Sequence, residues 1–121
     1  MSWLAVGIGA AIGAWLRWGL SLWLNAGEGR FPYGTLAANL IGAYFAGLLF
    51  AWFAQTPDVS PAWRLFAITG LLGGLTTFST FSIESMQWIL RGDFAAALGH
   101  SALHLAGSIL LCFAGYASYR A

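Results

Sequence analysis

Apolar residues fill four long stretches of the chain, and short polar clusters separate them. The apolar stretches run at about 2–24, 33–54, 62–90 and 95–119, and the polar clusters at 25–32, 55–61 and 91–94. About 20 apolar residues of α-helix, each rising ~1.5 Å, cross the ~30 Å hydrocarbon core of a bilayer. Since every stretch reaches that length, the pattern predicts an all-α membrane protein, a single domain over 1–121 with four transmembrane helices.

The third stretch is too long for one straight span and contains the run GGLTTFSTFS at 73–82. Glycines followed by hydroxyl residues favour a break in a transmembrane helix, so we expect this helix to be broken at 73–80, near the bilayer middle. A break frees backbone carbonyl groups from their helical donors. Neighbouring hydroxyl groups satisfy some of these carbonyls, and unwound carbonyls at this depth also bind Na⁺ in membrane proteins.

The composition excludes several classes of protein. Hydrophobic residues make up 60% of the chain and charged residues 7%, whereas about a quarter of an ordinary soluble domain is charged. The formal net charge of +1 offers no basic face to nucleic acid. The single cysteine, Cys112, excludes an intramolecular disulfide. Without nucleophile–base pairs, the sequence also argues against an enzyme.

The few charges give the chain no clear orientation in a membrane. With four spans, Arg64 and Arg120 fall on one side, Arg30 and Arg91 fall on the other, and Arg17 adds an ambiguous charge to the second side. The positive-inside rule therefore favours neither orientation, and we expect insertion both ways. Two copies of opposite orientation would form an antiparallel homodimer about a twofold axis in the membrane plane.

Polar residues inside the spans are informative because lipid cannot satisfy them. Asn39 lies in the uncharged second span, one helical turn after Thr35. Its amide either donates to an anion or bonds another helix. Glu84, the one carboxylate well inside a span, either caps a helix, pairs with an arginine or lines a vestibule. Arg17 either snorkels to the interface or draws anions to a vestibule.

The fourth span carries a polar stripe of His100, His104, Ser108 and Cys112, which recur at every fourth residue. Such a stripe faces protein or water rather than lipid. His104 is either satisfied inside the bundle or part of a polar pathway. Two histidines four residues apart also suit a metal ion, but no carboxylate or cysteine obviously completes that site in the sequence.

Phe78 and Phe81 are three residues apart, so they project from nearly one face of a helix. The edge of a phenyl ring is weakly positive and meets an anion without the strong hydrogen bonds that would trap it. The ordinary alternative is that both rings fill a core. The sequence alone leaves both interpretations open.

Three segments closely resemble the small bacterial fluoride channels (Fluc family): GGLTTFSTFS at 73–82, PYGTLAANLIG at 32–42 and GAWLRW at 13–18. The resemblance covers the four-span layout from end to end. It implies a dual-topology homodimer of antiparallel subunits in the bacterial inner membrane, with two anion pores. It also implies passive export of fluoride from the cytoplasm, which relieves fluoride toxicity.

The resemblance also implies roles for single residues. Phe78, Phe81 and Asn39 look like the pore residues, and the backbone carbonyls of Gly73 and Thr76 from both subunits look like ligands of a structural Na⁺ at the dimer interface. The remaining matches are a polar track at Ser108, hydroxyls flanking the pore at Thr80 and Ser82, and the first-helix Arg17. His104 stands where many members have a tyrosine, so its protonation below about pH 6.5 is expected to alter conduction.

Two other classes stay open. A small drug–proton antiporter has a similar size and dual topology, but it couples through an acidic residue in its first helix. Residues 2–24 contain no acidic residue, which leaves Glu84 as the one substitute. A non-transporting assembly partner of other membrane proteins is the second class, and it predicts no ion flux from the purified protein.

Overall fold

The computed structural model describes residues 2–25 and 31–120, with the side chain of Arg120 left out. Its helices are α1 (Ser2–Leu24), α2 (Tyr33–Gln55), α3 (61–75), α4 (Phe78–Leu90) and α5 (Phe94–Arg120). Because α3 and α4 together form one span, the described residues contain four helical segments long and apolar enough to cross a membrane. The predicted all-α membrane fold is therefore confirmed. The loop charges Glu28 and Arg30 lie outside the described residues.

Two helix pairs, α2 with α5 and α1 with α3, make the most extensive contacts of the bundle. Both depend on close backbone approach. A Cβ atom placed on Gly13 of α1 would overlap the carbonyl oxygen of Leu71 in α3, and one placed on Gly47 of α2 would overlap the carbonyl oxygen of Cys112 in α5. Helices in lipid gain from such contacts because their association rests on van der Waals packing and interhelical hydrogen bonds.

The third span changes its winding along its length. It begins at Pro61, where the hydroxyl of the preceding Ser60 accepts a hydrogen bond from the amide of Ala62. Residues Leu65–Leu72 then form a π-helix, a rare winding that the hydropathy pattern does not predict. A last helical turn, Gly73–Leu75, ends α3.

The break in the third span is shorter than predicted. Instead of 73–80, it comprises Thr76 (φ −84°, ψ 154°) and Thr77 (φ −148°, ψ 123°), both in extended conformations. The helix resumes at Phe78 because the hydroxyl of Thr77 caps it, accepting a hydrogen bond from the amide of Thr80 at 3.1 Å. The prediction of a broken helix is right, and its extent was overestimated.

The outside of the bundle is apolar, whereas its most deeply buried large side chains are polar. Indoles such as Trp3, Trp15 and Trp23 are exposed on α1. The two largest fully buried side chains among the described residues are Thr35 and His100. This distribution is that of a protein surrounded by lipid, with polar groups turned inward.

Candidate functional site

A groove of about 450 Å³ lies beside the break in the third span, between α2, α3, α4 and α5. Five residues singled out in the sequence line it, namely Asn39, Phe78, Phe81, His104 and Ser108. So do Gly73 and Thr76, together with Thr77 and seven apolar or glycine positions (Gly42, Ala43, Ala46, Ile68, Leu72, Leu105 and Ile109). No arginine or carboxylate is among the lining residues in the described part of the chain. The groove is thus mostly apolar, with a few uncharged polar groups.

Asn39 holds the break in place. Its Oδ1 accepts a hydrogen bond from the backbone amide of Thr77 at 2.7 Å, and its Nδ2 donates to the backbone carbonyl of the same residue at 3.1 Å. The side-chain amide therefore replaces the helical partners that Thr77 loses in the break. Of the two interpretations of Asn39, the bond to another helix is present. Its role toward an anion stays a prediction.

The hydrogen bonds of Asn39 also show which ring nitrogen of His104 carries the proton. Because Oδ1 is committed to the amide of Thr77, the group facing His104 is the Nδ2 donor, 2.9 Å from Nδ1 of the imidazole. In the neutral ring Nδ1 accepts this bond and Nε2 carries the proton. Nε2 is buried and has no hydrogen-bond partner among the described residues. His104 is only 4% exposed, so an unpartnered polar atom there requires an explanation.

Glu84 joins α4 to α2 and α5 through hydrogen bonds. The hydroxyl of Thr35 donates to Oε2 of Glu84 at 2.6 Å, and Oε1 lies 3.0 Å from Nε2 of His100. The other nitrogen of His100, Nδ1, lies 2.7 Å from the hydroxyl of Ser85. Of the three alternatives left open for Glu84, pairing with an arginine is not seen among the described residues. Its partners are a threonine and a histidine, a connection that the sequence analysis missed.

The two phenyl rings differ in their surroundings. Their centroids are 5.5 Å apart. Phe81 stacks on His100 at 5.1 Å and contacts His104 at 4.6 Å, whereas Phe78 is 78% exposed. Phe81 is therefore partly packed inside the bundle, whereas Phe78 is not packed into the core of the single chain.

Three other predicted residues lie outside the groove lining. The Nε of Arg17 donates to the carbonyl of Gly74 at 3.1 Å, at the end of α3. The hydroxyl of Ser82 donates to the carbonyl of Phe78 at 2.8 Å, and Thr80 contributes its amide to the cap of α4. Arg17 is thus bonded to the edge of the break, and the roles of all three toward an anion stay predictions.

The break removes the helical donors of several carbonyl groups, among them those of Gly73 and Thr76. In a continuous helix the amides of Thr77 and Thr80 would bond the carbonyls four residues earlier, at Gly73 and Thr76. Here the amide of Thr77 donates to Asn39, and the amide of Thr80 donates to the hydroxyl of Thr77. By contrast, the carbonyls of Gly74 and Thr77 are bonded by Arg17 and Asn39. The carbonyl oxygens of Gly73 and Thr76 are therefore suitable ligands for a hard cation.

Four apolar spans and a groove with a few uncharged polar groups define a multi-pass membrane protein. The chain belongs to the CrcB-like protein (Camphor Resistance) family, whose model matches residues 4–116. It is 54% identical over 121 residues to the "Fluoride-specific ion channel FluC" of Cupriavidus metallidurans, covering 100% of this chain and 96% of that protein.

Relatives from other bacteria agree with this membership. Proteins of the same name from Thiobacillus denitrificans and Pseudomonas putida are 57% and 55% identical, over 97% and 96% of this chain and 94% and 91% of their own lengths. Since these relatives are named as ion channels, the chain belongs to a family of non-enzymes. The resemblance found in the sequence is confirmed.

Proposed function

We propose that this protein is a fluoride-selective channel that passively exports fluoride from the bacterial cytoplasm. The observation that carries the proposal is the identity of more than half over nearly the full length with relatives named as fluoride-specific channels. The groove supports it independently. Selective passage of a small, strongly hydrated anion requires groups that replace its water but bind it weakly enough to release it.

The groove supplies donors of that kind. The Nε2 proton of His104 has no partner among the described residues, and Ser108 adds a hydroxyl. Asn39, whose amide hydrogens are committed to Thr77 and His104, orients that imidazole. Phe78 and Phe81 contribute ring edges that are weakly positive. A fully charged guanidinium in the lining would bind fluoride too tightly for conduction, and Arg17 instead lies at the end of α3, bonded to Gly74. Ions would thus pass between several weak contacts.

The proposal includes a second, antiparallel copy of the chain and two pores in the dimer. Two observations support it. No residue of α4 is buried, and Phe78 is largely exposed although it lines the groove. A second copy would cover this side and close the groove. If reporters fused to the C-terminus of the chain appear on only one side of the cell membrane, the antiparallel arrangement is refuted.

A structural Na⁺ between the two breaks completes the proposal. The carbonyls of Gly73 and Thr76 from two copies make four oxygen ligands, and the cation would offset their partial negative charges. Its test is reconstitution of the dimer with K⁺ in place of Na⁺ throughout. We expect fluoride efflux to fall and to recover when Na⁺ is restored, and equal efflux in the two salts would contradict a Na⁺ site.

The channel function is tested by efflux from liposomes that contain the purified protein. Liposomes loaded with potassium fluoride, in buffers that contain Na⁺ on both sides of the membrane, should release fluoride when K⁺ is made permeant, and liposomes loaded with potassium chloride in the same buffers should release far less chloride. Efflux should persist without a proton gradient, which separates a channel from a proton antiporter. Chloride release as fast as fluoride release would refute selectivity, and no release of either ion would favour the assembly-partner class.

A further inference from the structure

Three potential metal ligands meet beside the groove, although they are distant in the sequence. Glu84, His100 and His104 each place one ligand atom within 4.8 Å of the other two. The pair of histidines on α5 lacked a completing carboxylate in the sequence, and the fold brings Glu84 of α4 to it. His100 and His104 are buried, and Glu84 is partly buried, with side-chain exposures of 0% for His100 and 13% for Glu84.

We propose that Glu84, His100 and His104 form a binding site for one divalent transition-metal ion of the zinc type. Two imidazoles and one carboxylate are a ligand set that Zn²⁺ uses, with a fourth position left for water or an anion. Zinc bonds of ~2.0–2.2 Å place tetrahedral ligand atoms roughly 3.3 Å apart. The 3.0 Å contact between Glu84 Oε1 and His100 Nε2 is close to this value, and the ligand atom of His104 lies within 4.8 Å of both.

Outer hydrogen bonds suited to a metal site are present on two of the three ligands. Thr35 holds Oε2 of Glu84, leaving Oε1 for the metal. Ser85 lies against Nδ1 of His100 and itself contacts the hydroxyl of Ser101 at 3.0 Å, leaving Nε2 for the metal. Such outer partners fix the orientation of metal-binding imidazoles and carboxylates.

The third ligand, His104, supplies the independent observation. Its Nε2 is buried without a partner among the described residues, and a metal ion would satisfy that atom. Binding through Nε2 moves the ring proton to Nδ1, which faces the donor Nδ2 of Asn39. Metal binding would therefore break the bond between Asn39 and His104 and disturb the groove that both residues line.

Occupancy of this site has a consequence for transport that rests on the proposed function. A divalent cation next to the groove would attract fluoride strongly and hold it, since the attraction between charges grows as water is excluded. Conduction requires weak binding. We therefore expect Zn²⁺ to inhibit fluoride efflux by occupying Glu84, His100 and His104.

The test measures Zn²⁺ binding to the purified, tag-free protein by isothermal titration calorimetry. The visible absorption spectrum of bound Co²⁺ then reports the coordination geometry. We expect one ion to bind per chain. We expect the affinity to fall by about tenfold or more in Glu84→Gln, His100→Gln and His104→Gln. The matched control is Asp58→Asn, a carboxylate in the loop before α3, which should bind as the unchanged protein does. His104→Gln keeps the Glu84–His100 pair, so it serves if the other variants do not fold.

The outcomes separate the site from the channel. Absence of saturable binding, or equal affinity in the three ligand variants and the control, would overturn the site. Binding that leaves fluoride efflux unchanged would overturn the inhibition. If the protein without Zn²⁺ conducts no fluoride, the proposed function fails, whereas the titration still decides the metal site.

Discussion

The two halves of the third span behave differently, although they follow each other in one membrane crossing. The half before the break, α3, packs against α1 at glycine contacts and buries Gly70, Leu72 and Leu75. The half after it, α4, buries no residue and carries Phe78, Phe81 and Glu84. The first half thus fixes the break within the chain, and the second presents chemical groups to the groove. Substitutions before the break should affect folding, and those after it should affect transport.

The largest expected effect is on the contact between α1 and α3. In Gly13→Ala the added methyl group would overlap the carbonyl oxygen of Leu71 and lie 2.6 Å from the amide nitrogen of Leu75. We expect a loss of about 2 kcal/mol in the free energy of unfolding, because an overpacked contact must move backbone atoms apart. The control is Gly19→Ala, since a Cβ on Gly19 meets nothing within 4 Å. Thermal unfolding in detergent measures both, and equal stability would contradict the glycine contact.

The second prediction concerns the exposed half. In Phe78→Ala we expect fluoride efflux to fall about tenfold, equivalent to ~1.4 kcal/mol, with little change in stability, because the ring is 78% exposed. Phe113→Ala removes a ring on α5 that is 69% exposed and lies outside the groove lining, and it should leave efflux unchanged. Equal efflux from the two variants would reject the role of Phe78.

Phe81→Ala should differ from Phe78→Ala in a measurable way. Because Phe81 stacks on His100 and contacts His104, its removal should impair efflux and also lower the melting temperature. Efflux from liposomes and thermal unfolding of the same preparation give both values. A variant with normal efflux but reduced stability would place Phe81 in the core alone.

The smallest effect should arise at the junction between the halves. Thr77→Val removes the hydroxyl that caps α4 and should destabilise the protein by about 1 kcal/mol. Thr77→Ser retains the hydroxyl and should restore most of that stability. If valine and serine variants unfold at the same temperature, the cap does not determine where α4 begins.

The four spans can be predicted from the sequence because a helix that crosses lipid must be long and apolar, and both properties can be read from the segment itself. The position of the break cannot, since it depends on Asn39, which lies 38 residues from Thr77 and bonds both polar groups of its backbone. The glycine run shows that a break is tolerated. The distant amide determines which two residues form it.

In the groove, too, the residue types could be predicted from the sequence, but the contacts between distant residues could not. Asn39, Phe78, Phe81, His104 and Ser108 were recognised by residue type and by the resemblance, and all line it. The pairing of Glu84 with His100 was missed because it depends on how α4 rotates against α5, which neither helix encodes alone. Residue spacing places His100 and His104 on one face of α5, but only the packed helices bring a carboxylate to them.

The exposed indoles of α1 have a consequence for how the chain sits in a bilayer. Trp3 and Trp23 lie near opposite ends of a 23-residue helix, which rises about 35 Å and so spans the distance between the two headgroup layers. Tryptophan prefers these layers. Each end of α1 therefore has its own aromatic anchor, and turning the helix upside down would place one indole where the other had been.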